Sequence, residues 1–202
     1  MVFAFIGVPL AIIIGEVIFH IYLNSAAKGK QDVGKCVVQA LALIFASMEA
    51  SFLTIGFTDL TKMLVGEQRP HYLEKLTSDG LESATRDSVS FPSGHASTSF
   101  NAGIFIFAYV LFLYYRIRQV PVTEPSWLWR ELRSLYLYLA ILPVILAGFI
   151  GISRIVDYHH HFWDVIAGAL YGGFFAGATF LSCIISNSAF FGLTAERQTT
   201  DL

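Results

Sequence analysis

Charge is scarce in this sequence. Only 14% of its 202 residues are Asp, Glu, Lys or Arg, against about 25% in an ordinary soluble domain. A membrane reading therefore comes before any argument about a water-soluble core. Cysteine is scarce too. Cys36 and Cys183 stand far apart, in or beside apolar runs, so no disulfide framework is available and both read as free thiols. No Asn-x-Ser/Thr sequon occurs, which removes the sign of N-glycosylation. The net charge of −2 points to no nucleic-acid partner. Repeats, low-complexity tracts and linkers are absent, so residues 1–202 are expected to form one domain.

What is abundant is apolar sequence, 55% of the chain, gathered in long runs. Five of them, residues 2–23, 37–60, 96–115, 135–152 and 165–185, have roughly the 17–25 residues that a helix needs to cross about 30 Å of hydrocarbon. The expected fold is an all-α polytopic membrane bundle of five helices. Pro143 falls inside the fourth run, which membrane helices tolerate when neighbours satisfy the freed carbonyl. A signal peptide is a poor reading of the first run, because no Lys or Arg precedes it and it is too long.

Alternation of the spans assigns every loop to a face. Lys28, Lys30 and Lys35, then Arg116, Arg118, Arg130 and Arg133, then Arg197 share one face, which the positive-inside rule makes cytoplasmic together with the C-terminus. Trp127, Trp129, Tyr114 and Tyr115 fit an interfacial aromatic belt. The opposite face carries Lys62, Arg69, Lys75, Arg86 and Arg154, cations that the rule does not explain.

Three patterns lie on that opposite face. In "KMLVGEQRP", Lys62 and Arg69 are seven apart, so they project from one side if the second helix continues past the hydrocarbon. Two cations there suit a phosphate dianion, and arginine adds a planar fork of donors; a solvated helix end fits the same pattern. In "FPSGHAS", Pro92 and Ser93 open the third span, offering the free N–H groups and positive dipole end that bind anions. Gly94 admits a close ligand and His95 stands ready to donate a proton; a capping turn with a stray histidine also fits. In "SRIVDYHHHFWD", His160 and Asp164 are four apart, so on a helix they face one another. The carboxylate then fixes the imidazole tautomer and frees the other nitrogen to attack. His159 and His161 have Trp163 and Val165 at that spacing, and neither orients a ring. Adjacent histidines on a helix diverge by ~100°, so the triplet is not expected to bind a metal. Arg154 adds a third cation.

Lys62, Arg69 and Pro70, then Pro92, Ser93, Gly94 and His95, then Ser153, Arg154, His160 and Asp164 together resemble the three-part signature of the type 2 phosphatidic acid phosphatase superfamily. The surrounding text is most similar to the eukaryotic lipid phosphate phosphatases. The resemblance implies a metal-free, cofactor-free hydrolase in which Lys62, Arg69, Arg154 and the backbone at Ser93–Gly94 hold the phosphoryl group. His160, steered by Asp164, would form a phosphohistidine, and His95 would protonate the leaving alkoxide and later activate water. Expected partners are a bilayer and a lipid phosphate such as phosphatidate, lysophosphatidate, sphingosine 1-phosphate or ceramide 1-phosphate; a homo-oligomer is left open. The site would face the extracellular or luminal side of the plasma membrane or an internal membrane. Family members have six spans, so this chain is expected to lack the first. A non-enzymatic lipid-phosphate binder and a phosphotransferase on the same scaffold are the rival readings.

Other polar residues read more plainly. Glu16 and His20 are expected to pair, and Glu49 to be protonated or hydrogen-bonded inside the bundle. His71, Lys75, Arg86 and Asp157 are expected to be solvated, with His71 near the pocket.

Overall fold

The computed structural model describes residues 3–26, 33–82, 88–119, 127–188 and 191. A π-helical turn, Phe3–Gly7, leads into α1 (Val8–Ala26), followed by α2 (Val33–Val65), the short α3 (Tyr72–Asp79), α4 (Gly94–Gln119), α5 (Trp127–Val156) and α6 (Phe162–Ser186). Among the described residues the fold is all-helical, and five helices are long and apolar enough to cross a membrane. They match the five expected runs but extend beyond them: α2 adds four residues of polar or mixed character at its start, and α4 begins at Gly94. Lys28, Lys30, Arg86 and Arg197, and the side chains of Trp127, Trp129, Arg130 and Arg133, lie outside the described residues.

α4 is the central helix. It packs most extensively against α6 and α5, while α2 lies against α6 and α4, and α1 against α2 and α4. The close packing of α6 on α4 depends on two glycines one turn apart. A Cβ on Gly168 would sit 2.5 Å from the Ser93 carbonyl oxygen, and one on Gly172 would sit 2.1 Å from that of Ser97. Only glycine admits such an approach, as in the small-residue interfaces of membrane helices. With the backbones this near, a polar seam joins three helices. Asn101 donates to Thr54 Oγ1 at 2.9 Å and to the Gly172 carbonyl at 3.5 Å, and accepts from Ser51 Oγ at 3.2 Å. Thr58 donates to Ser97 Oγ at 3.1 Å. Each bond across a membrane bundle contributes about 0.6 kcal/mol on average; their larger effect is to fix the register of α2, α4 and α6.

At the far end a second polar cluster ties α1 to the bundle. Arg116, read from sequence as a loop cation, is buried within α4. It donates to Glu16 Oε1 and to Gln39 Oε1, both at 2.7 Å, and its guanidinium lies 4.0 Å from the Phe19 ring centroid. Tyr109 donates to the Ile12 carbonyl at 3.0 Å. Removing one partner of such a buried pair costs about 3–5 kcal/mol. Glu49 corrects an expectation: it is exposed, not inside the bundle. The buried stripe of α2 runs through Cys36, Gln39, Leu43, Ala46, Ser47, Ala50, Ser51, Thr54 and Thr58, and position 49 falls off it. Cys36 and Cys183 are free thiols.

Candidate active site

The three sequence patterns meet at one end of the bundle, where α2 ends, α4 begins and α5 turns into α6. Lys62 lies in the last turn of α2, and a Cβ on Gly94 would be 4.0 Å from its ammonium nitrogen. Arg69 is not on that helix, which corrects the two-turn spacing argument. α2 stops at Val65 because Gly66 takes the left-handed conformation, φ +63°, a common helix ending. Arg69 is carried instead by a short antiparallel pairing. Its N–H donates to the Ser88 carbonyl at 3.0 Å, Ser90 N–H to the Glu67 carbonyl at 2.7 Å, and its Nε to the Val89 carbonyl at 3.3 Å. Pro70 follows in the exposed turn leading to α3.

Ser93 immediately precedes α4 and is fully buried. Its Oγ accepts the Ala96 N–H at 3.4 Å, and its own N–H donates to the Asp164 carbonyl at 2.9 Å. The start of α4 is thereby fastened to the start of α6. His95, on the first turn of α4, is exposed at the mouth, where the charges of Arg154, Arg69 and Lys62 all reach it. Pro92 is buried beneath them.

The histidine triplet separates in three directions. His159 turns outward, its ring centroid 5.0 Å from that of His71 and its Nδ1 2.9 Å from the Asp157 carbonyl. His161 stacks on Trp163, with centroids 4.9 Å apart and planes 6° from parallel. His160 alone points inward and is 3% exposed. Tyr158, at φ +54°, lets the chain reverse so that the N–H groups of His159 and His160 both donate to the Arg154 carbonyl, at 3.1 and 3.2 Å.

The pairing of His160 with Asp164 is present but not by the route the four-residue spacing suggested. α6 begins at Phe162, so His160 is not helical. The Asp164 carboxylate, fully buried, folds back over the helix start and accepts the His161 backbone N–H at 2.8 Å, as acidic groups in a first turn do. Its Oδ2 then lies 3.5 Å from His160 Nδ1. Between them is a residue that the sequence patterns passed over: the Ser90 hydroxyl, fully buried, donates a short hydrogen bond to Asp164 Oδ2 and lies 3.3 Å from His160 Nδ1. Ser90 stands outside the spaced motifs, and only the pairing of residues 67–69 with 88–90 brings it here. His161 Nδ1 lies 3.5 Å from both Glu67 Oε1 and Asp164 Oδ2 and makes no hydrogen bond to either.

Asp157 is exposed, as expected, and also paired: Arg154 Nη2 donates to it at 2.9 Å while Arg154 Nε donates to Ser153 Oγ at 3.2 Å. This ion pair orients the guanidinium. His71, as anticipated, lies beside the site, its Nδ1 2.8 Å from the Tyr158 carbonyl. Together with Glu74, Lys75, Ser78, Asp157, Tyr158 and His159 it lines a shallow polar cleft of about 350 Å³.

Among the described residues one group has the spacing of metal ligands: Glu67, His161 and Asp164, with ligand atoms within 4.8 Å of one another. Two carboxylate oxygens of the trio are engaged elsewhere, whereas Asp164 Oδ1 and His161 Nδ1 have no hydrogen-bond partner. Asp164 Oδ2 is already taken by Ser90 and the His161 N–H, and Glu67 Oε1 accepts the Trp163 indole N–H at 3.1 Å. His160 belongs to no such group.

Burial and the nearby Arg69 cation push the His160 imidazole down from 6.5 to about 4, against the opposing pull of the Asp164 carboxylate. At that value the ring is neutral at physiological pH. An unfolded chain would take up this proton near pH 6.5 and the folded one only near pH 4. This group's share of stability is thus complete above pH 6.5 and is lost as pH falls through the window to 4. In detergent-solubilised protein, the His160 resonance is expected to titrate near pH 4, and Arg69→Gln to move its midpoint upward. A wild-type midpoint at 6.5 or above would contradict the charge arrangement.

Residues 36–184 match the PAP2 superfamily. A probable lipid phosphate phosphatase 4 of Arabidopsis thaliana is 32% identical over 74% of this chain and 55% of its own length. Lipid phosphate phosphatase 1 of the same plant is 32% identical over 68% of this chain and 43% of its own. Diacylglycerol pyrophosphate phosphatase 1 of Saccharomyces cerevisiae is 32% identical over 61% and 45%. The chain spans about half the length of the curated relatives it matches. No solved structure matches. With its three motifs gathered at one bundle end and three quarters of its length inside the matched region, the chain belongs to the PAP2 superfamily, among relatives named as lipid phosphate phosphatases.

Proposed function

We propose that this protein is a membrane-embedded lipid phosphate phosphohydrolase that works through a phosphohistidine, without a metal ion. The observation that carries the reading is the convergence of three cations, a helix start and one inward histidine on a single mouth. Lys62, Arg69 and Arg154, with the free N–H groups at the start of α4, neutralise the phosphoryl oxygens. They stabilise the charge that spreads over those oxygens in the transition state. His160 Nε2 attacks phosphorus while the P–O bond to the lipid breaks. His95 protonates the departing alkoxide, then removes a proton from the water that cleaves the phosphorus–nitrogen bond and regenerates His160.

The mouth is surrounded by exposed apolar side chains, Met63, Leu64, Leu73, Phe162 and Trp163. In water such a rim would be costly; at a bilayer surface it seats the site where a lipid head group stands. Substrates are then phosphate monoesters whose tails stay in the membrane: phosphatidate, lysophosphatidate, sphingosine 1-phosphate and ceramide 1-phosphate. The name of the yeast relative adds diacylglycerol pyrophosphate to this range. By the positive-inside rule, Lys35 at the start of α2 and Arg118 in the last turn of α4 support an extracellular or luminal face for the site at the opposite bundle end. The test is release of inorganic phosphate from these lipids by purified protein in detergent, with a strong chelator present. Undiminished turnover in chelator supports the reading. Tight binding of a lipid phosphate without any release would favour a non-enzymatic binder, and transfer to an added alcohol in preference to water a phosphotransferase.

A further inference from the structure

We infer that Ser90 is a positioning residue: its hydroxyl joins His160 to Asp164 and sets which ring nitrogen is free to attack. The inference rests on the reading that His160 is the nucleophile. A serine hydroxyl has one proton to give. Here that proton goes to Asp164 Oδ2, the shorter of the two contacts. Toward His160 Nδ1, 3.3 Å away, Ser90 can then only accept. Nδ1 must therefore carry hydrogen, and the chain of bonds reads Nδ1–H to Oγ, then O–H to Oδ2. The lone pair is left on Nε2.

A direct bond would do the same work, but at 3.5 Å the ring nitrogen and carboxylate are too far apart for a strong one. The hydroxyl supplies the missing span. It is held in place by its own backbone, through the Ser90 N–H bond to the Glu67 carbonyl at 2.7 Å. Oγ, His160 and Asp164 are all buried, so water does not compete for these bonds. When Nε2 bonds to phosphorus the imidazole gains positive charge. The Nδ1–H bond then strengthens, and the polarised hydroxyl passes the carboxylate's stabilisation to the ring. No proton leaves the relay, and Asp164 stays ionised.

The experiment uses the full chain in detergent, phosphatidate as substrate, and nitrogen spectroscopy of the labelled histidines. The His160 ring of the wild type is expected in the Nδ1–H form, and Ser90→Ala is expected to populate the Nε2–H form. Ser90→Ala should lower kcat on the order of a hundredfold with KM changed less than about threefold. Ser90→Thr, which keeps the hydroxyl, should recover at least about a tenth of wild-type kcat. Placed in an Asp164→Asn background, Ser90→Ala should cost less than about threefold more, because two members of one relay do not add. Full additivity of the two substitutions, or a wild-type His160 protonated on Nε2, would overturn the relay. If the wild type releases no phosphate, the phosphatase reading fails, and the tautomer of His160 in wild type and Ser90→Ala still decides the relay.

Discussion

Replacing His160 with alanine is expected to abolish phosphate release, by at least about a thousandfold, while His159→Ala keeps most of the wild-type rate. The two residues are neighbours in sequence and chemically identical, so the contrast isolates geometry. His160 is buried against Ser90 and Asp164 and faces the charges of Arg69 and Lys62. His159 lies against His71, with its Nδ1 on the Asp157 carbonyl, and no part of the proposed chemistry needs it. Single-turnover phosphate release in detergent measures the difference. Equal losses in the two variants would mean that the inward-pointing ring is not the nucleophile.

The second large effect concerns assembly. Gly172→Ala is expected to separate α6 from α4 and lower the thermal midpoint sharply in detergent. Its new methyl would meet the Ser97 carbonyl oxygen at 2.1 Å and the Asn101 nitrogen at 2.7 Å. Both are backbone atoms that no rotamer change can move, so the penalty should exceed the 1–3 kcal/mol usual for overpacking, estimated at roughly that range from side-chain cases. Gly177→Ala is the matched control on the same helix, because nothing lies within 4 Å of its added Cβ. There the substitution should be neutral or slightly stabilising, through alanine's higher helix propensity. Equal midpoints for the two variants would show that the helices do not pack at this distance. Separation would also disturb the site, since Ser97 is one turn along α4 from the Ser93 that fastens α4 to α6.

The contrast between these two experiments reflects what was legible in the chain. Local spacing to Asp164 picks out His160 from the triplet between Arg154 and Asp164, and His160 is the ring that the fold buries. A helical four-residue pairing was anticipated, whereas Asp164 reaches back across a helix start and meets His160 through Ser90. Lys62 and Arg69 were likewise grouped correctly by an incorrect route, since Gly66 ends α2 between them. Gly168 and Gly172 passed without remark, because a glycine in an apolar run carries no sign of what approaches it. Glu49 was assigned to the interior from its place in a hydrophobic run; run length does not say which side of the helix faces its neighbours.

By itself the sequence determined the five spans and the motifs that the fold brings to one bundle end. These depend on hydrocarbon thickness and on covalent spacing, both of which are local. Only the tertiary structure decided that Ser90 enters the site, that Arg116 is buried on Glu16, and that α4 and α6 touch through Gly172. Each of these is a contact between segments 40 or more residues apart, and its energy depends on distances that no stretch of sequence contains.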